Sequence, residues 1–330
     1  MKKQFIGLFI IIFFSGCMYS YQKTEPLKAS QYELVEGWPQ LKEGYKLGQP
    51  TGLGVDKNQN IYVFHRNGRE WTNPFPDSAI SLSTILKLDR QSGKILEQWG
   101  EGLFIMPHGL TVDQENNIWI TDVALHQVFK FNAQKKLLMK LGIEKVADSD
   151  SLHFNMPTDV AIAKDGSFYV ADGYGNSRII KFSAEGKYLM EWGRPGTGEG
   201  EFNTPHAIDL DSNGNVYVAD RENKRIQKFN ADGTFIQSWS GNQMEYLYSL
   251  TIDKLTQKLF AVDFSFSEDS IIYGSNVFEA KDTGFIILFG RAGAYNGPVS
   301  RYHDIVVDKD GNLYICDILE NKIQKFKNVL

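Results

Sequence analysis

Cysteine is nearly absent. The 330 residues hold two, Cys17 and Cys316, so a small fold stapled by several disulfides is excluded. An excess of basic charge is also lacking: Lys and Arg total 35 against 40 acidic residues, a net charge of −5, with the basic residues dispersed. That removes the electrostatic footprint by which nucleic acid is bound, and no nucleic-acid partner is expected. Histidine is scarce, six in the whole chain, so where each one falls carries information. What is plentiful points to strands and turns: 42% apolar residues, 13% aromatics and thirty glycines. The apolar content suffices for one large domain or two small ones.

The opening residues stand apart. In "MKKQFIGLFIIIFFSGC" a lysine pair precedes an apolar run from Phe5 to Phe14, too short for a good membrane span and in keeping with a secretory signal. Ser15-Gly16-Cys17 resembles a bacterial lipobox, whose cysteine becomes the lipidated first residue of the mature chain. The expected division is a signal peptide over 1–16, a lipidated Cys17 with a polar tether over 17–31, and a folded domain over 32–330. The product would be exported to a bacterial cell envelope and touch the outer membrane or cell surface only through the lipid on Cys17. An ordinary signal peptide with Cys17 near the cut is the alternative. With Cys17 acylated, Cys316 has no disulfide partner, and its apolar strand pattern suits a small buried residue.

Internal repetition decides the fold. The stretch "MPHGLTVDQENNIWITDVALHQVFKF" reads as three short strands, and its opening recurs six times. The copies are "PTGLGVDKNQNIYVFHR", "PHGLTVDQENNIWITDV", "PTDVAIAKDGSFYVADG", "PHAIDLDSNGNVYVADR", "LYSLTIDKLTQKLFAVDF" and "YHDIVVDKDGNLYICDI". Most continue into a third strand such as "RIIKF", and most then reach a fourth ending in Trp-Gly or a relative of it. Four short strands at a spacing of roughly 40 to 57 residues describe propeller blades, so a six-bladed all-β propeller is expected. The sixth repeat lacks its fourth strand. "YELVEGW", Tyr32 to Trp38, resembles the missing piece and would close the ring.

One slot of the repeat holds Thr51, His108, Thr158, His206, Tyr248 and His303. The first strand of a propeller blade lines the channel, so this slot should face the axis. Histidines in alternate blades, about 120° apart, would converge on one axial point. Three imidazoles with an open fourth position make a catalytic type of zinc site; three water-bonded channel residues are the plainer reading. His126 lies outside the slot and reads as structural. A second slot, at the end of each second strand, holds Arg66, Val123, Gly173, Arg221, Phe264 and Ile318. The two arginines could face the same mouth of the channel, where a guanidinium fork suits a carboxylate. Tyr174, between Gly173 and Gly175, could be aimed at the same point by its turn.

These segments, above all "TDVALHQVFKF", "DGYGNSRI" and "ADRENKRIQ", resemble the catalytic core of peptidyl-α-hydroxyglycine α-amidating lyase over about residues 48–326. They are more specific than generic NHL-type repeats. The resemblance implies a carbon–nitrogen lyase that cleaves a C-terminal α-hydroxyglycine to an amide and glyoxylate. It implies zinc on His108, His206 and His303, and Arg66, Tyr174 and Arg221 as catalytic residues. It also implies a structural calcium on the Leu53 and Leu110 carbonyls and Asp304. Departures are visible. Arg301-Tyr302 stands where those lyases usually have Met-Pro before the third histidine. Gly175, Tyr217 and Lys228 stand where animal members have cysteines. The propeller uses up these residues, so a fused copper monooxygenase domain is not expected and the hydroxylated substrate would come from another protein. A monomer is expected. Two other readings remain at this point: a surface-anchored propeller that binds a peptide or glycan without turnover, and a lactonase-like hydrolase.

Overall fold

A computed structural model describes residues 31–241, 243–265, 274–282, 284–290 and 300–330. Residues 1–30, where the signal peptide, Cys17 and nearly all of the tether fall, lie outside the described residues. The rest forms six four-stranded antiparallel sheets, and no described residue is helical. The chain is an all-β, six-bladed propeller. Its inner strands, for blades 1 to 6, are Pro50–Val55, Pro107–Val112, Asp159–Ile162, Pro205–Leu210, Tyr246–Ile252 and Tyr302–Val307.

Each blade is graded from axis to rim by its residues. The second strands, such as "FYVAD" and "LYICD", are buried along their whole length because neighbouring blades cover both faces. The outer strand "FIQSWS", Phe235–Ser240, instead alternates half-buried and exposed positions, as a strand with one wet face must. The cores therefore lie between blades. Trp119 of blade 2 packs on Phe168 of blade 3 at 4.6 Å between ring centres, and its indole N–H donates to Asp113 at 2.9 Å. Cys316 is buried in the second strand of blade 6, as its pattern suggests.

The N-terminal strand closes the ring. Tyr32–Leu34 pairs antiparallel with Lys322–Asn328 and supplies the fourth strand of blade 6. The strand is shorter than the expected Tyr32–Trp38. Gly37 turns the chain in the left-handed region (φ 72°), and Trp38 drops onto Tyr314 at 5.2 Å instead of continuing outward.

A buried aspartate ends the second strand in four blades, Asp122, Asp172, Asp220 and Asp317, and stands one residue before its end in blade 5, Asp263. Each carboxylate accepts a backbone N–H from the loop that enters the inner strand. Asp122 takes Ile105 and Met106 at 2.7 and 2.9 Å, Asp220 takes Asn203 at 2.7 Å, and Asp317 takes Arg301 at 3.0 Å. These bonds fix the backbone two or three residues before His108, His206 and His303.

Candidate metal centre and active site

The three histidines meet on the axis. Their ring centres lie 4.7 Å (His108–His206), 4.9 Å (His108–His303) and 5.1 Å (His206–His303) apart, and all three are buried. The ring closes by one rule applied three times. Each Nδ1 bonds the backbone carbonyl of the next blade's residue in the same slot: His108 to Thr158 at 2.7 Å, His206 to Tyr248 at 2.6 Å, and His303 to Thr51 at 2.8 Å. A carbonyl can only accept, so Nδ1 carries the proton and Nε2 keeps its lone pair. Burial, aided by Arg66, pushes His108 down to about 3, and burial with neighbouring imidazole charge holds His206 and His303 well below the usual range. The rings are neutral, share one tautomer, and have one donor atom each within 4.8 Å of the others. That set fits a metal ion: nitrogen donors, bare lone pairs, and a hydrogen-bonded outer shell that fixes ring orientation.

Tyr174 caps this layer. Its Oη lies 3.1 Å from His108 Nε2, 3.0 Å from His206 Nε2 and 3.3 Å from Arg221 Nη1. The flanking glycines make this possible. A Cβ on Gly173 would sit 1.9 Å from the Pro205 oxygen, and one on Gly175 would sit 2.0 Å from the Asn155 side chain. The turn thus lies flat against blade 4 and swings the phenol to the axis. Arg221 is clamped by Glu222 (Nε at 2.9 Å, Nη2 at 2.8 Å) and lies over the Tyr174 ring at 5.1 Å. Arg66 is buried, donating to the Pro107 carbonyl at 3.2 Å and to Gln49 Oε1 at 2.8 Å, with Trp71 5.2 Å away. Burial, with some help from Arg301, lowers it to about 10, so it stays a cation at neutral pH.

Leu53, Leu110 and Asp304 also come together, on the other side of the histidine layer, in a funnel of about 420 Å³. The Asp304 carboxylate accepts the Leu53 N–H at 2.6 Å and the Ser249 hydroxyl at 2.6 Å, and burial raises it to about 7. In a strand a residue's carbonyl leaves on the same side as its N–H, so the Leu53 oxygen faces this carboxylate's side too. Asp159 lines the same funnel, and burial, with Asp304 nearby, holds its carboxyl well above the usual range. A carboxylate and carbonyl oxygens form a donor set of the kind a hard cation takes.

All nine sequence-derived site residues thus fall into two clusters stacked along the axis. His126 is structural: its Nδ1 accepts the Met156 N–H at 2.9 Å. Tyr217 and Lys228, two of the positions where the animal lyases have cysteines, are cross-strand partners, with the ammonium 5.0 Å from the ring. Sequence reasoning missed three contributors. Tyr248 packs against His206 and His303 at 5.1 and 5.5 Å, although its place in the histidine slot was a usable signal. Gln49, which holds Arg66, sits in a recurring slot two residues earlier. Trp71, 5.2 Å from Tyr174, lies in a loop outside the repeat, where no periodic signal exists.

Fold and site define the class: a six-bladed propeller of NHL repeats with a buried three-histidine centre. The NHL repeat model matches residues 104–131, 154–182 and 202–229. Among curated proteins the chain is similar to peptidyl-glycine alpha-amidating monooxygenase A of Xenopus laevis, 36% identical over 317 residues, covering 88% of this chain and 32% of that protein. It is also similar to peptidyl-alpha-hydroxyglycine alpha-amidating lyase 1 of Drosophila melanogaster, 33% identical, covering 92% of this chain and 61% of that one. The chain thus spans about a third of the monooxygenase and under two thirds of the fly lyase. Among solved structures, the Staphylococcus aureus virginiamycin B lyase shares the fold, with a TM-score of 0.58 at 16% identity, covering 91% of this chain and 89% of that one.

Proposed function

We propose that this chain is a zinc-dependent lyase of the peptidyl-α-hydroxyglycine α-amidating type, converting an N-acyl-α-hydroxyglycine into an amide and glyoxylate. The observation that carries the reading is the contact of Tyr174 Oη with two histidine Nε2 atoms and the Arg221 guanidinium. A non-catalytic scaffold has no need to hold a phenol against the open face of a metal-ligand set. The named amidating relatives support the same class.

His108, His206 and His303 would hold the zinc, which when bound acidifies a hydroxyl and offsets negative charge on oxygen. Arg66 binds the substrate carboxylate, its guanidinium pre-aimed by Gln49 and the Pro107 carbonyl. As the phenolate, Tyr174 takes the proton of the substrate's α-hydroxyl on Oη, and Arg221, 3.3 Å from that Oη, offsets its negative charge until the proton arrives. The substrate oxygen then forms the aldehyde carbonyl of glyoxylate, the C–N bond breaks, and the amide nitrogen leaves with the proton returned by Tyr174, which restores the phenolate. Burial of the histidine layer keeps bulk water from competing. Calcium on Asp304 with the Leu53 and Leu110 carbonyls would neutralise a buried carboxylate and tie blades 1, 2 and 6 together. Export and lipid anchoring at Cys17, with the propeller working as a monomer, complete the proposal.

The test is release of glyoxylate from an α-hydroxyglycine peptide by zinc-loaded protein, before and after chelation. Turnover that stops on chelation and returns with zinc supports the reading. Stoichiometric zinc without glyoxylate overturns it and favours a binding scaffold, and hydrolysis of lactones would favour the hydrolase.

A further inference from the structure

The connection between the second and third strands is short in blades 2, 3, 4 and 6, spanning 123–126, 173–177, 221–224 and 318–321. In blade 1 it runs from 66 to 84. A connection of that length within a compact fold usually has a task of its own. This one is held along its course. At its base Asn67 Nδ2 donates to the Ser83 carbonyl at 2.7 Å, and the Arg69 N–H closes a turn on the Arg66 carbonyl at 2.8 Å. Farther out, the Ile80 N–H donates to the Phe104 carbonyl and the Ile80 carbonyl accepts the Gly102 N–H, both at 2.8 Å. Lys145 Nζ, from the loop that follows blade 2, reaches the Asp77 carbonyl at 2.9 Å.

What the loop presents is Trp71. Phe75, itself packed on the core between blades 1 and 2, meets the indole edge-on at 4.9 Å between ring centres. The Arg66 guanidinium carbon lies 5.2 Å from the indole ring centre, and the Tyr174 ring lies 5.2 Å away at a tilt of 50°. Trp71 thus touches both the group assigned to the substrate's carboxylate and the group assigned to its hydroxyl. The three histidines are buried and Gln49 and Arg221 are half-buried, whereas Trp71 is 41% exposed. An α-hydroxyglycine held by its carboxylate and its hydroxyl has its α-carbon between Arg66 and Tyr174, above the closed histidine layer. Its acyl part has to leave towards solvent, and the large exposed side chain beside that exit is an indole.

We propose that Trp71, braced by Phe75, is a specificity residue that packs on the side chain preceding the α-hydroxyglycine, so that preferred substrates carry an aromatic or large aliphatic residue there. This rests on the proposed lyase activity for the chemistry but not for the binding. An indole already held by a ring edge and a guanidinium loses little freedom when a ligand covers it, so the apolar area it buries is kept as affinity. A preceding alanine is too short to cover the indole and gains little from it.

The experiment compares N-acetyl-phenylalanyl-α-hydroxyglycine with its alanyl counterpart on the zinc-loaded full chain. The expected ratio of kcat/KM is at least about tenfold in favour of the phenylalanyl substrate, carried by KM. In Trp71→Ala the ratio should fall to near one through a raised KM for the phenylalanyl substrate. In Trp71→Phe it should be intermediate, and that variant serves if the alanine variant folds poorly. If Trp71 only propped Tyr174, kcat would fall equally for both substrates and the ratio would stand; that result overturns the inference. A parallel calorimetric titration with unreactive N-acetyl-phenylalanyl-glycine and N-acetyl-alanyl-glycine reads the same contact without turnover. Equal affinities for the two, or a preference unchanged in the Trp71 variants, overturn the inference whether or not glyoxylate is released. Absence of glyoxylate with a preserved, Trp71-dependent binding preference overturns the lyase reading alone.

Discussion

Tyr174 presents one oxygen to two imidazoles and a guanidinium, so its removal isolates chemistry from packing. Tyr174→Phe keeps the ring against Trp71 and should fold normally while kcat/KM for α-hydroxyglycine falls 10²–10³-fold, about 2.7–4 kcal/mol of lost stabilisation. Arg66→Ala should cost at least as much. Near-native turnover in either variant would take that residue out of the mechanism. His65 offers a different test, because it is buried, is not a metal ligand, and is held down to about 4 by desolvation. Its folded value lies below the unfolded one of about 6.5, so its contribution to stability is present above pH 6.5 and is lost as pH falls towards 4. In His65→Gln that part of the acid sensitivity should vanish. The difference between wild type and variant in unfolding free energy should change by up to about 3 kcal/mol between pH 7 and pH 4, as measured by urea denaturation.

At the level of the blade, the aspartate that ends the second strand and the aspartate of the first hairpin turn have separable jobs. Asp122 accepts the N–H groups of Ile105, Met106, Ala124 and Leu125, and so sets the backbone that delivers His108. Asp113 lies at the other end of the same hairpin and accepts from Glu115, Asn117 and Trp119. Asp122→Ala would strand four buried donors and should cost more than about 3 kcal/mol, with zinc affinity weakened as well. Asp113→Ala should lower stability by about 1–3 kcal/mol while leaving the zinc stoichiometry and kcat intact. Equal effects of the two on zinc binding would show that Asp122 is only a stability residue. Both aspartates recur visibly in the repeats, but a period cannot say which end of a hairpin faces the ligand set.

At the level of the whole ring, closure depends on three residues, Tyr32 to Leu34, far in sequence from their partners. Tyr32 packs against Phe260 and Phe289 of blade 5 at 6.2 and 6.1 Å. Tyr32→Ala should therefore cost about 3 kcal/mol, and a chain begun at Trp38 should expose the Lys322–Asn328 edge and aggregate on heating. The histidines come from blades 2, 4 and 6, so a metal bound by all three also ties alternate blades together. Chelation should lower Tm, with a shift that grows with the logarithm of the zinc concentration when metal is restored. A Tm independent of zinc would count against all three histidines binding one ion.

The amino-acid sequence by itself determined the strands, the sixfold repeat and the slot in which His108, His206 and His303 recur. Those follow from period-two apolar patterning and repeated turns, which are local properties of the chain. It also marked Arg66, Arg221 and Tyr174 through their slots and flanking glycines. Only the closed ring decided the rest. The Nδ1 bonds that select the histidine tautomer run from each blade to the next, so they depend on the spacing that closure imposes. The meeting of Tyr248 with Arg221 and Arg301 joins residues 27 and 53 positions apart, and no local pattern encodes a distance across the channel.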